Sequence, residues 1–210
     1  MKILIVAATR AEVSGLCNHF TLPEGDFAET KQFDLLITGV GMTATAFALG
    51  KHLSAAYSLV LNLGIAGCYE WKYPLGSLLN ITEDIFAELG AEDKDEFLTI
   101  DTLGFGQSRY IAANTLSTTL VTALPKVKGI TVNKVSGNKT SIKATEKRLQ
   151  PATESMEGAA VLYSCEQMGI PCLQVRSISN YVEERNRESW KIGLAIKNLN
   201  EWAIEFLTNG

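Results

Sequence analysis

The stretch Thr153–Asn180, TESMEGAAVLYSCEQMGIPCLQVRSISN, decides how this chain is read. Its apolar residues recur at helical spacing with Met156 and Glu157 at the first turn, and Gly169-Ile170-Pro171 breaks the pattern. An apolar strand follows and ends in polar Arg176, Ser177, Ser179 and Asn180. A helix start and a strand end of this kind share one cleft, because open α/β sheets bind ligands beyond the carboxyl ends of their strands. An acidic side chain and an amide brought together there suit a small polar ligand.

Working outward, residues 2–8, KILIVAA, read as a strand buried on both faces, and Thr9-Arg10-Ala11-Glu12 follows with the T-x-x-E spacing of a capping box. The local pattern assigns the Glu12 carboxylate to capping. That position is also the cleft edge, so the two roles are compatible. A second strand, 33–38, leads into Gly39-Val40-Gly41-Met42-Thr43-Ala44 and an Ala-rich helix running to about His52. The match to G-x-G-x-x-A is formal: the next strand, Leu59 to Gly64, carries no acid to hold a dinucleotide ribose. The glycines then either let backbone N–H groups approach a ligand at a helix start or make a tight turn. Gly64-Ile65-Ala66-Gly67-Cys68 reads as a small-residue turn, again a ligand approach or a bend.

From Leu75 the pattern shifts to shorter stretches, 76–82, 109–113 and 129–135, expected as strands of a twisted mixed sheet. The acidic segment Glu83 to Asp101 lacks the spacing of a calcium loop and is expected to be a solvated loop. Gly137-Asn138-Lys139-Thr140 lacks the spacing of a phosphate loop and opens a helix, 141–149. Tyr181 to Arg187 forms a polar loop. Ile192, Ala195, Ile196, Leu199, Trp202, Ala203 and Phe206 then recur at helical spacing, placing a final helix on the sheet.

No linker, repeat or charge block divides the 210 residues, so one domain, 1–210, is expected. A net charge of −4 with scattered lysines and arginines argues against a nucleic-acid surface. With neither a basic segment ahead of a long apolar run nor a spanning segment, no membrane is expected and the cytoplasm is the default. Cys17, Cys68, Cys165 and Cys172 form no CxxC pair, and His19 and His52 complete no metal-ligand spacing; buried reduced thiols are expected, with no metal.

Taken in order, Glu12-Val13, Thr38–Gly41, Asn62–Gly67, Ser155–Ala160 and Val175–Asn180 resemble the purine nucleoside phosphorylase and nucleosidase superfamily over nearly the whole chain. The run Ser179 to Asn186, with Trp190-Lys191-Ile192 and Ala195–Leu199, is most similar to its futalosine hydrolases, which release hypoxanthine in menaquinone synthesis. The resemblance implies a three-layer α/β/α domain with a mixed, twisted central sheet and no cofactor. It also implies a small-molecule purine nucleoside substrate and a homo-oligomer, dimer or larger.

By similarity Glu12 is the general base that orients water toward the anomeric carbon, and Glu157 accepts hydrogen bonds from the ribose hydroxyls. Met156 packs against the sugar, while Gly64, Ile65 and Ala66 line the cleft beneath the nucleoside. Asn180 stands where the methylthioadenosine nucleosidases carry an Asp that protonates N7 of the base; Asn can only hydrogen-bond N7 and O6 of a 6-oxopurine. Because Asn can also read N6 and N7 of adenine, hydrolysis of methylthioadenosine or S-adenosylhomocysteine stays open, as does a non-catalytic nucleoside-binding protein. Asn138-Lys139-Thr140 replaces the aromatic residue that stacks on the purine in relatives. Arg10 is the only arginine near the first strand and none lies between it and Arg109, which favours hydrolysis over phosphorolysis. Arg185, Arg187 or Arg109 either meets the aromatic carboxylate at the far end of the futalosine 5′ extension or is solvated.

Overall fold

The computed structural model describes residues 2–114 and 116–209, so the expected boundaries at Met1 and Gly210 lie outside it. The strands are β1 (Lys2–Ala7), β2 (Phe27–Glu29), β3 (Phe33–Ile37), β4 (Tyr57–Cys68), β5 (Leu78–Phe86), β6 (Gly90–Asp93), β7 (Glu96–Thr99), β8 (Arg109–Ile111), β9 (Lys126–Thr131), β10 (Thr153–Ser155) and β11 (Cys172–Tyr181). The helices are α1 (Ser14–His19), α2 (Met42–His52), α3 (Thr119–Thr122), α4 (Lys139–Leu149), α5 (Gly158–Met168) and α6 (Ile192–Asn209), with short 3₁₀ turns at Arg10–Val13 and Arg187–Ser189.

Among the described residues nine strands join in one sheet, in the order β10-β9-β5-β11-β4-β1-β3-β2, with β8 alongside β5. Its centre is parallel: β1 lies between β3 and β4, and β11 lies beside β4. β5 runs antiparallel to β11, and β9 returns parallel to β5, which makes the sheet mixed. Helices cover both faces, so the central strands are apolar runs rather than alternating ones. On one face Leu16 of α1 and Leu199, Trp202, Ala203 and Phe206 of α6 pack on Ile5, Leu61, Leu63 and Val175. On the other, Leu49 of α2 and Val161, Leu162 and Cys165 of α5 pack on Leu4, Val6 and Val60. The three layers are those expected. No helix among the described residues is long and apolar enough to cross a membrane.

Three local expectations are corrected. Thr153–Ser155 is not helical: it pairs with β9 on one side and with the end of β4 on the other, and the helix starts only at Gly158. Gly64–Cys68 is not a turn but the second half of a 12-residue strand, held extended by pairing with β11 as far as Cys68. The acidic segment is not a loop throughout. Glu83 and Asp84 continue β5, and Gly90–Thr99 folds into the β6–β7 hairpin, with Lys94 at φ 57° in its turn. The hairpin's acidic side chains stay exposed on β6, while Asp84 is buried.

Candidate active site

The β1 end sets the first carboxylate. Thr9, extended at φ −134° and ψ 148°, caps the following turn and completes the capping box with Glu12. Glu12 Oε2 accepts hydrogen bonds from the Thr9 backbone N–H and hydroxyl, both at 3.0 Å, and Oε1 accepts from the Ile65 N–H at 3.1 Å. The capping and cleft roles therefore coincide, since Ile65 belongs to β4. Asn200 of α6 reinforces the turn from below, donating to the Glu12 carbonyl at 2.8 Å and accepting from the Leu16 N–H at 2.7 Å.

The second carboxylate comes from the turn between β10 and α5. Glu157 is 7% exposed, and its Oε1 accepts from the Gly41 N–H at 2.9 Å. Gly39 and Gly41 hold φ of 81° and 93°, which aims that N–H off the start of α2. The glycine pair makes a tight turn at the start of α2, and its Gly41 N–H is taken by the Glu157 carboxylate. Burial raises the pKa of Glu157, opposed by the Arg176 guanidinium and the Gly41 N–H and assisted by the nearby Glu12 charge.

Arg176 joins the two, and sequence reasoning did not assign it. It lies in β11, 1% exposed, with Nη1 4.0 Å from Glu157 Oε2. A Cβ built on Gly64 would fall 2.0 Å from that Nη1 and 3.0 Å from Glu12 Oε1, so the glycine lets the guanidinium lie across β4 beside Glu12. Nε and Nη2 of Arg176 have no hydrogen-bond partner among the described residues. The cleft thus brings two carboxyl groups and one guanidinium together. The available signal was an arginine within a strand that the packing buries throughout, CLQVRSIS.

Asn180 is 8% exposed and sits at the same end of β11, beyond a bulge at Ser179. Its Oδ1 accepts from the Ser179 hydroxyl at 2.8 Å, its Nδ2 donates to the Tyr181 carbonyl at 3.0 Å, and that nitrogen is 3.3 Å from where a Cβ on Gly67 would lie. Met156 is half-buried between β10 and α5. Ile65 is half-buried, whereas Gly64 and Ala66 are buried in β4.

Arg185 and Arg187 are exposed, their guanidinium carbons 5.4 and 5.9 Å from the ring centre of half-buried Trp190. Their loop adjoins the one before α4: a Cβ on Gly137 would lie 3.3 Å from Arg185 Cβ, and Lys139 pairs with Glu184 at 2.7 Å. Arg109 is turned to Glu83 at 3.0 Å on the β8–β5 edge. Arg10 is engaged by the Leu22 and Gly25 carbonyls and by Glu24. A cavity of about 770 Å³ opens between α2 and α5, lined by residues that include Met42, Phe86, Phe105, Tyr110 and Tyr163; neither Glu12 nor Glu157 lines it.

Residues 2–207 match the family model of the phosphorylase superfamily. The futalosine hydrolase of Streptomyces coelicolor is 29% identical over 96% of this chain and 93% of its own. That of Acidothermus cellulolyticus is 31% identical over 95% and 87%. Among solved structures, a Helicobacter pylori 5′-methylthioadenosine/S-adenosylhomocysteine nucleosidase mutant with 5′-methylthioadenosine in its active site superposes with a TM-score of 0.81 at 19% identity, covering 97% of this chain and 98% of its own. Futalosine hydrolase of Helicobacter pylori strain 26695 gives 0.80 at 16%, covering 99% and 97%.

Proposed function

The chain belongs to the phosphorylase superfamily, and on that premise we propose that it hydrolyses the N-glycosidic bond of futalosine, releasing hypoxanthine in menaquinone biosynthesis. The observation that carries this reading is the convergence of Glu12, Glu157 and Arg176 at one cleft, in a chain aligned over nearly its full length with futalosine hydrolases.

Cleavage passes through an oxocarbenium-like sugar, which needs an activated water, a hold on the hydroxyls and a stabilised leaving base. Glu12 takes the water's proton. Its Oε2 is held by both Thr9 donors, and Oε1, bonded to a single N–H, keeps acceptor capacity for the water. Arg176 offers Nε–H and Nη2–H to the water or a sugar oxygen, which would satisfy donors left unpaired among the described residues. Glu157 accepts from the ribose hydroxyls, and in its ionised form favours the cation. Met156 flanks the sugar, and Gly64, Ile65 and Ala66 form the floor. Asn180 donates toward N7 and O6 of hypoxanthine through its Nδ2, one of whose two hydrogens is engaged by the Tyr181 carbonyl.

Arg185 and Arg187, exposed on the rim, would meet the distal carboxylate of the substrate. Arg109, already paired with Glu83, is the weakest of the three candidates. The reading includes a single domain, a cytoplasmic setting and a homo-oligomer. Phe47 and Phe105, 77% and 80% exposed, support an apolar contact beside the α2–α5 cavity.

The test is chromatography of the bases released from futalosine, inosine and methylthioadenosine, with and without phosphate. Hypoxanthine from futalosine, independent of phosphate, is expected. Adenine from methylthioadenosine would reassign the base specificity, phosphate dependence would make the enzyme a phosphorylase, and no release from any substrate would leave a binding protein.

A further inference from the structure

Helix α5 is capped by residues other than its own N-cap. Glu157 occupies that position, yet its side chain makes no hydrogen bond to the helix and is turned to Gly41. The open donors of the first turn are met from elsewhere. The Ala159 N–H donates to Thr131 Oγ1 at 2.7 Å, and the Gly158 N–H to Ser155 Oγ at 3.3 Å. The Thr131 hydroxyl in turn donates to Asp84 Oδ1 at 2.8 Å. Asp84 Oδ2 accepts from Gln174 Nε2 at 2.7 Å, and Gln174 Oε1 accepts from Asn62 Nδ2 at 2.6 Å. Thr131, Asp84, Gln174 and Asn62 are each no more than 2% exposed.

A Cβ on Gly158 would fall 2.0 Å from Asp84 Oδ2, so the glycine that follows Met156-Glu157 makes room for a carboxylate against the helix start. A carboxylate at an N-cap is ordinarily drawn to the helix's first N–H groups and to its positive end. Here Thr131 already occupies the Ala159 donor, and the Asp84 charge behind it answers the helix dipole. Both remove the reason for Glu157 to fold back.

We propose that Thr131 and Asp84 are positioning residues that cap α5 in place of Glu157 and so keep the Glu157 carboxylate turned into the cleft. The proposal rests on the reading of Glu157 as the ribose-binding group.

The experiment is the crystal structure and futalosine kinetics of Thr131→Val, which keeps the shape and removes the hydroxyl. The expected result is that Glu157 leaves the Gly41 N–H for that of Ala159, and kcat/KM per folded molecule falls roughly two- to thirtyfold, the range of a lost helix cap. Thr131→Ser restores both. Should the valine variant not fold, Thr131→Ala, which also frees the Ala159 N–H, is expected to show the same move of Glu157 and a comparable loss. Glu157 still on Gly41 with wild-type turnover in the variant that folds, or a serine variant that restores neither, would overturn the proposal. Wild-type turnover in Glu157→Gln would instead sink the ribose-binding reading, while the position of Glu157 in the Thr131→Val structure would still decide whether Thr131 is the cap.

Discussion

The turn after β1 and the turn after β10 each end a strand, start a helical segment and present a glutamate to the same cleft. Glu12 is held locally: two of its three carboxylate hydrogen bonds come from Thr9, three residues away, and only the Ile65 N–H is distant in sequence. Glu157 is held entirely from a distance, by Gly41 and Arg176, while Thr131 and Asp84 do the capping that its own position would call for. A group that caps its own turn is fixed by the sequence around it. A group released from capping can be aimed elsewhere, at the cost of a second buried carboxylate.

The comparison is broken most completely by removing either carboxylate. Glu157→Gln and Glu12→Gln are each expected to lower kcat by about 10² to 10⁴ with the fold intact, measured as hypoxanthine release together with a thermal melt. Equal turnover in either variant would take that carboxylate out of the chemistry. Arg176→Met is the next largest. It leaves two facing carboxylates without their cation, a change of about 3–5 kcal/mol in buried pairs, so both the melting temperature and kcat should drop. Arg176→Lys should not rescue it, because a lysine cannot reproduce the planar fork.

The Asp84 charge makes a prediction about pH. Burial raises its pKa from 3.8 to about 6, against the opposing Gln174 and Thr131 hydrogen bonds and the Arg176 charge. Between about pH 4 and 6 the folded state therefore holds a proton that the unfolded state has released, so stability falls as pH rises through that window, by ~3 kcal/mol when complete. Denaturation midpoints from pH 4 to 7 should show this decline in the wild type and a flatter profile in Asp84→Asn. A variant profile as steep as the wild type would place the titration elsewhere, for instance on Glu157, whose raised pKa acts with the same sign. The smallest effect is expected for Gly64→Ala. Its methyl group must displace the Arg176 guanidinium, costing about 1–3 kcal/mol and about tenfold or more in kcat/KM. An unaffected enzyme would show that the guanidinium can lie elsewhere without loss.

Much of this was legible in the residues. KILIVAA followed by T-x-x-E gives a strand and a capped turn from local chemistry alone, and the Ala-rich run after Gly41 gives α2. Where the reading went astray, long-range pairing overrode local preference. Gly64–Cys68 has the composition of a turn but is held extended by β11 and β10, and Thr153–Ser155 is drawn into the sheet at the head of what reads as a helix. Asp84 was invisible for the opposite reason: it sits in a run of acids whose other members are mostly exposed, and nothing local marks the one that turns inward.

The sequence by itself determined the alternation of strands and helices, the capping of Glu12 and the presence of a second glutamate near the head of α5, because periodicity and capping act over a few residues, while the layering was implied by the family resemblance. Only the tertiary structure decided that Arg176 lies across Gly64 between the two glutamates, and that Thr131 and Asp84 relieve Glu157 of its helix. Those contacts join residues tens to more than a hundred positions apart, and a buried charge takes its partners from whatever strands the packed sheet brings beside it.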